Sequence, residues 1–312
     1  MTPLVTFATF GADGRPLANP VEEGCAMVPA VTVDLIGATV ELEQPIGGGM
    51  RTVGTGFLIS DPTPDGKPRV VLVTANHVFK RMKADEATIG YRIQGADGAW
   101  TFAPRPLEIR EDGKPLWRHH PTRDVAAIAI TAPPAFAKAA IPLAWLGGPD
   151  ALAKDNLGPG DELLTLGFPQ GLSANSAGFP ILRAGRVASY PLGAAARDPT
   201  FLLDFQVFPG NSGGPVYLDR QADGDPGPAS ADQPVIAGML TQQVEANSEN
   251  LGIGIVTQAE FVRETVALLD QAPDASDPDG KRAEIVEAAA PEGAAHSAQA
   301  RAVATGALAL QR

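Results

Sequence analysis

Apolar positions along this chain come in short runs, and turn formers break each run before it reaches helix length. Residues 55–60 (TGFLIS) and 69–75 (RVVLVTA) are two such runs, separated by DPTPDGKP at 61–68. Residues 87–93 (ATIGYRI), 100–109 (WTFAPRPLEI) and 124–130 (DVAAIAI) continue the pattern. So do 161–168 (DELLTLGF), 180–190 (PILRAGRVASY), 200–205 (TFLLDF), 214–218 (GPVYL), 234–244 (PVIAGMLTQQV) and 252–257 (GIGIVT). Runs of this length, rich in β-branched residues and bounded by Gly, Pro and Asp, read as strands. Their close spacing, with no helical segments in alternation, predicts an all-β barrel or sandwich architecture. The strand texture starts at Val31, where VTVDLIGATVELEQ offers strand-like segments ahead of the GGG turn at 47–49.

One segment changes period. In QAEFVRETVALLD, Gln258 to Asp270, the residues Phe261, Val262, Val266 and Leu269 share one helical face. This predicts a C-terminal helix packed on the body. Beyond it, PDASDPDG reads as a linker, and an Ala-rich tail carries too few large apolar residues to dock, so disorder or marginal helix is expected. Asp219 to Pro234 reads as a long polar hairpin loop. The expected organisation is an N-terminal segment 1–31, a globular unit 32–270 and a low-complexity tail 271–312. Within the globular unit, strands fall at about 32–145 and 155–257, with the helix at 258–270.

Charge narrows the function classes. The 312 residues carry 36 acidic and 24 Lys or Arg side chains, a formal net charge of −12. No basic cluster of the kind a general nucleic-acid binder shows is present. The start, MTPLVTFATFGADGRP, lacks the pattern of a secretory signal, and no apolar run approaches membrane-spanning length. A soluble, cytoplasmic protein is the expectation. The one cysteine, Cys25, permits no intrachain disulfide and reads as a small residue rather than a nucleophile. Asp219, Asp223 and Asp225 lack calcium-loop spacing and the four histidines make no zinc set, so neither a metal nor another cofactor is expected.

The candidate chemistry centres on Pro209-Gly210-Asn211-Ser212-Gly213-Gly214-Pro215. A serine among glycines can present its hydroxyl while backbone N–H groups aim at one point. As a nucleophile it needs a base. His296 lies in the tail, and His119 and His120 sit in the polar stretch WRHHPTRD and read as surface histidines. His77 stands where the strand VVLVTA runs out. Asp124 opens DVAAIAI at the mouth of an apolar strand, where a carboxylate needs hydrogen bonds. By position alone each of these also has an ordinary structural reading: a loop histidine, a strand-start cap or a partner for Arg123, a tight turn. GNSGG also fits the G-x-S-x-G elbow of α/β-hydrolases, but that fold needs a histidine after the serine and a parallel sheet with helices.

Taken together, these residues resemble the chymotrypsin-like serine peptidases, most closely the bacterial HtrA/Deg-type peptidase domain. The order His77, Asp124, Ser212 matches, as do Gly54-Thr55-Gly56-Phe57, Thr74-Ala75-Asn76-His77-Val78, Asp124-Val125-Ala126, Leu166-Gly167-Phe168-Pro169 and Gly252-Ile253-Gly254. The resemblance covers about residues 32 to 260. It implies two six-stranded antiparallel β-barrels followed by the C-terminal helix and a flexible tail. It implies a serine endopeptidase acting on a protein or peptide substrate through His77, Asp124 and Ser212, with the N–H groups of Gly210 and Ser212 as oxyanion hole. Gln206 would form the base of the specificity pocket, Thr241, Gln242 and Gln243 its edge strand and Gly254 its back wall. No acid occupies these positions, which points to a small or medium uncharged side chain before the scissile bond. Asn211 lacks the charge to pair with a newly cleaved N-terminal amine, so no activation by N-terminal insertion is expected. Too little chain follows the helix for a PDZ-like domain. A non-catalytic or conditionally active binding module on the same fold, and a self-processing peptidase or esterase, remain open alternatives.

Overall fold

The computed structural model describes residues 30–154, 156–218, 236–246 and 249–271, together with the backbone of 283–284. Cys25, the loop from Asp219 to Pro234, His296 and most of the N-terminal and C-terminal segments lie outside the described residues. The strands divide between two lobes. The first holds β1 (Thr39–Gly47), β2 (Met50–Ser60), β3 (Val70–Thr74), β4 (Glu86–Gln94), β5 (Trp100–Glu108) and β6 (Ala126–Thr131). The second holds β7 (Glu162–Gly167), β8 (Ile181–Val187), β9 (Thr200–Asp204), β10 (Pro215–Tyr217), β11 (Ile236–Ala246) and β12 (Glu249–Gln258).

The second lobe is a closed six-stranded barrel in the order β7-β8-β9-β12-β11-β10. Leu163, Phe201, Leu203, Val216, Leu240 and Val256 fill its interior. The first lobe departs from the expected second barrel. Its long strands form a sheet in the order β6-β3-β2-β1-β4-β5, and β5 and β6 do not pair with each other. The reason lies in β5. Pro104 and Pro106 oppose Gly90 and Thr88 across the ladder with β4. Two residues apart, both would present their N–H on the same free side, and proline has none. A strand without those donors is confined to a sheet edge. At the other edge, the backbone of 283–284 runs parallel to Ile130 and Thr131.

The lobes share one continuous core. Buried side chains of the first sheet pack with Leu166, Tyr217, Ile236 and Met239 of the second lobe. The C-terminal helix α3 (Ala259–Ala267) completes it, with Phe261, Val262 and Val266 buried as the helical period predicts. Arg69, itself buried, ties the segment after this helix to the sheet by pairing with Asp61 and, at 2.6 Å, with Asp270.

The start of the first lobe also departs from expectation. Residues 30–38 form helix α1 (Ala30–Ala38), not a strand. Thr32, Leu35 and Ala38 are buried while Val33 and Asp34 are exposed, a helical period that tertiary packing selects over the strand preference of its β-branched residues. Arg92 from β4 closes this helix. Its guanidinium donates to the carbonyls of Ile36 (3.1 Å), Gly37 (2.7 Å) and Thr39 (2.8 Å), and across the lobes to Gly178 (3.1 Å). Burial pushes its pKa down to about 10, so it stays charged at neutral pH.

Replacing Arg92 by Met should therefore strand four carbonyls and cost at least about 3 kcal/mol of stability. Arg92→Lys keeps the charge but cannot fork to four acceptors, and should recover only part of the loss. Urea midpoints decide this: wild-type-like midpoints for both variants would remove the staple role.

Candidate active site

His77 sits in the first turn of helix α2 (Asn76–Arg81), directly after β3 ends at Thr74. First-turn N–H groups have no acceptor within their own helix. Asp124, at the entry of β6, supplies one. Its Oδ1 accepts the His77 backbone N–H at 2.8 Å, and its Oδ2 lies 2.5 Å from His77 Nδ1. One carboxylate thus fixes both the helix end and the ring. In the neutral ring Nδ1 carries the proton donated to Asp124, and Nε2 is then the acceptor. Burial disfavours the Asp124 charge, but the His77 hydrogen bonds and charge, with the field of Lys80, hold its carboxyl below the usual carboxylate range. Behind the helix, Trp117 Nε1–H donates to Asn76 Oδ1 at 3.0 Å, both side chains being buried. Arg110 lies 4.8 Å over the same indole.

Ser212 lies in the loop before β10, and backbone bonds set that loop's shape. The Pro209 carbonyl accepts from Gln170 N–H at 2.6 Å, and the Asn211 carbonyl from Gly214 N–H at 3.1 Å. In a planar trans peptide the N–H points opposite the C=O. The N–H groups of Gly210 and Ser212 therefore turn away from those partners, and neither meets an acceptor among the described residues. Gly210 has φ +97° and Gly213 φ +94°. A Cβ at Gly210 would strike the Phe168 carbonyl and one at Gly213 the Thr55 carbonyl, so only glycine fits. Asn211 is buried, and no amine partner meets its Oδ1 among the described residues.

Thr55, on β2 of the first lobe, holds this loop. Its N–H donates to the Ser212 carbonyl (2.9 Å) and its hydroxyl to the Gly210 carbonyl (2.6 Å). The same hydroxyl oxygen accepts Phe168 N–H (3.1 Å), and the Thr55 carbonyl accepts the Thr74 hydroxyl (2.6 Å). The sequence carries a trace of this role, a threonine flanked by two glycines just before the apolar run Phe57 to Ile59, but nothing in that pattern names its partners.

His77, Asp124 and Ser212 open onto one cleft of about 460 Å³ between the lobes. Asn76, Lys80 and Arg81 line it from the first lobe; Val207, Phe208, Pro209, Thr241, Gln242 and Gln243 line it from the second. Ser212 Oγ donates to the Thr241 carbonyl at 3.2 Å rather than to His77. Gln206 and Gly254 are not brought into the cleft. Gln206 is exposed, and its carbonyl accepts from Arg183. Gly254 is buried, and Phe205, Leu240 and Val207 occupy the space in front of it. His120 is not a surface residue: it is buried, and its Nε2 lies 2.8 Å from Glu264 Oε2 on α3.

Thr55→Val keeps the shape of the side chain and leaves the Gly210 carbonyl and the Phe168 N–H unpaired. The expected cost is about 2 kcal/mol, read from the urea midpoint. A value near zero would mean that the loop holds its shape without the hydroxyl.

Searches of known structures return proteases of limited similarity. The HtrA-type protease AlgW, solved with a tripeptide, is 18% identical with a TM-score of 0.45, over 78% of this chain and 64% of that one. This chain thus spans less than two thirds of AlgW. A protease from M. tuberculosis in its active form is 18% identical with a TM-score of 0.44, over 76% of this chain and 83% of that one. The protease Anisep from Arthrobacter nicotinovorans is 12% identical with a TM-score of 0.43, over 73% and 93%. No curated sequence matches the chain. A family profile does: that of the trypsin-like peptidase domain aligns with residues 54–223, a span that takes in Thr55, His77, Asp124 and the whole Ser212 loop. With more than half of its length matched, and with His77, Asp124 and Ser212 meeting around a single cleft, the chain belongs to the trypsin-like peptidase family.

Proposed function

We propose that the protein is a serine endopeptidase that cleaves peptide bonds through an acyl-enzyme. The observation that carries this reading is the double contact of Asp124 with His77 in the cleft that also holds Ser212. Ser212 Oγ attacks the scissile carbonyl carbon while its proton passes to His77 Nε2. The C–N bond then breaks, and His77 protonates the departing amine. Water repeats the sequence on the acyl ester and frees Ser212. Asp124 keeps the ring in the required tautomer and stabilises the imidazolium. The N–H groups of Gly210 and Ser212 would receive the oxyanion, each such donor being worth about 3 kcal/mol in the transition state. The Ser212 bond to Thr241 is no obstacle, since rotation about one partly exposed side-chain torsion takes only picoseconds to nanoseconds.

The loop that offers these donors is held by Gln170 and Thr55, and among the described residues no amine meets Asn211. This supports activity independent of N-terminal processing. The pocket supports a small uncharged residue before the cut. Asn250 Nδ2 donates to the Val207 carbonyl at 2.7 Å and to Gln243 Oε1 at 3.1 Å, so one amide ties the two walls together. The Arg183 guanidinium lies 5.0 Å from the Phe205 ring and 5.6 Å from the Phe208 ring, which sets a positive charge behind one wall and disfavours a cationic side chain between them.

A fluorophosphonate probe should label the wild type and fail on Ser212→Ala and His77→Ala. Asp124→Asn should fold and lose about 10³–10⁴ in turnover. Folding lowers the Asp124 pKa from 3.8, so its stabilisation is complete above that value and fades only as pH falls through the lower folded value. No labelling of folded wild type would defeat the reading.

In a peptide library, Ala, Ser and Val should lead at the position before the cut, and Arg should be among the poorest. Asn250→Ala should release the walls and raise turnover of larger residues there several-fold. A wild-type preference for Arg would overturn the pocket assignment.

A further inference from the structure

Helix α2 carries more than the base. Residues three and four positions apart share a helix face, and His77, Lys80 and Arg81 are so spaced and all line the cleft. Lys80 and Arg81 are exposed, and neither reaches a carboxylate at ion-pair distance among the described residues. The one acid in the cleft, Asp124, already gives both oxygens to His77. The facing wall, Val207 to Pro209 and Thr241 to Gln243, has no charged side chain. A chain with a net charge of −12 thus concentrates two cations that have no ion pair among the described residues on one side of its cleft.

The chemistry says which half of a substrate meets them. His77 Nε2 protonates the departing amine, so the residues after the scissile bond leave past His77 and over the face of α2. The acyl half lies against the neutral wall. We propose that Lys80 and Arg81 form a cationic subsite for Asp or Glu side chains in the first residues after the cut, and that acidic segments at this position mark its substrates. This rests on the acyl-transfer reading above. Exposed ion pairs are individually weak, so two together should favour such substrates about three- to tenfold, and salt should erode the advantage.

The test uses the full chain and peptides with one fixed acyl half, varied over the first three residues after the cut. Fluorophosphonate titration in parallel counts competent sites. Peptides with Asp or Glu should be cleaved about three- to tenfold faster than matched Asn or Gln peptides at low salt, with the ratio approaching one at high salt. The double variant Lys80→Gln/Arg81→Gln should abolish the preference, and Lys80→Glu/Arg81→Glu should invert it towards Lys. Circular dichroism and the urea midpoint check that both variants fold. Inversion is a result that a merely structural role of these residues would not give. A titratable site that cleaves acidic and amide peptides alike, or a preference that survives charge reversal, would overturn the subsite while the peptidase reading stands. A folded protein that does not react with the probe would remove both.

Discussion

The site depends on one seam. The proposed acyl transfer needs His77, Asp124 and Ser212 within hydrogen-bond reach, yet they come from different lobes. Side-chain packing between two sheets defines their separation only loosely. Directional bonds must complete the alignment, and Thr55 makes three of them from a single residue: N–H to the Ser212 carbonyl, hydroxyl to the Gly210 carbonyl, and hydroxyl oxygen from Phe168 N–H. The strand that carries Thr55 pairs with β3, which ends beside His77. His77 and the loop that carries Ser212 are thereby referred to the same piece of backbone.

Electrostatics adds a second constraint at the same place. A partly buried carboxylate is costly unless bonded, and Asp124 meets that cost by using both oxygens on His77. The helix N-terminus and the imidazole are thus held by one group, and losing the acid would disturb position and tautomer together. Arg92 solves a related problem farther off. A buried guanidinium is tolerable because four carbonyls surround it, and two of them, Ile36 and Gly37, lie in the last turn of α1, where carbonyls lack partners within the helix. In both cases a buried charge is matched to backbone groups that local structure leaves without partners.

Those same two examples divide what the sequence makes legible from what it does not. His77, Asp124 and Ser212 could be singled out because each stands at the end of an apolar run among residues with special backbone demands. The C-terminal helix was legible from the spacing of Phe261, Val262 and Val266. The helix at 30–38 was not: Val31, Thr32, Val33 and Ile36 favour a strand locally, and only burial of Thr32, Leu35 and Ala38 against the body reverses that. The open first sheet was written in Pro104 and Pro106, but their meaning depends on which side of β5 faces β4. The roles of Thr55 and Asn250 were beyond reach, and the pocket position given to Gln206 lies outside the cleft, for a shared reason. Each depends on how strands and lobes meet, and strand register is a property of the folded sheet.

Under the proposed reading, substrate backbone can pair with Thr241 to Gln243, where β11 runs past its pairing with β10. Discrimination then rests on side chains, and the two walls of the cleft would supply it by different physics. The neutral wall works by space: Asn250 holds Val207 to Gln243 at the span of one amide, and Phe205 fills the volume in front of Gly254. The α2 wall would work by charge, with Lys80 and Arg81 left without an ion pair among the described residues beside an Asp124 that is engaged with His77. Space excludes sharply at short range, whereas an exposed charge ranks substrates gradually and through solvent. Under the proposed reading, selection is strict before the scissile bond and lenient after it.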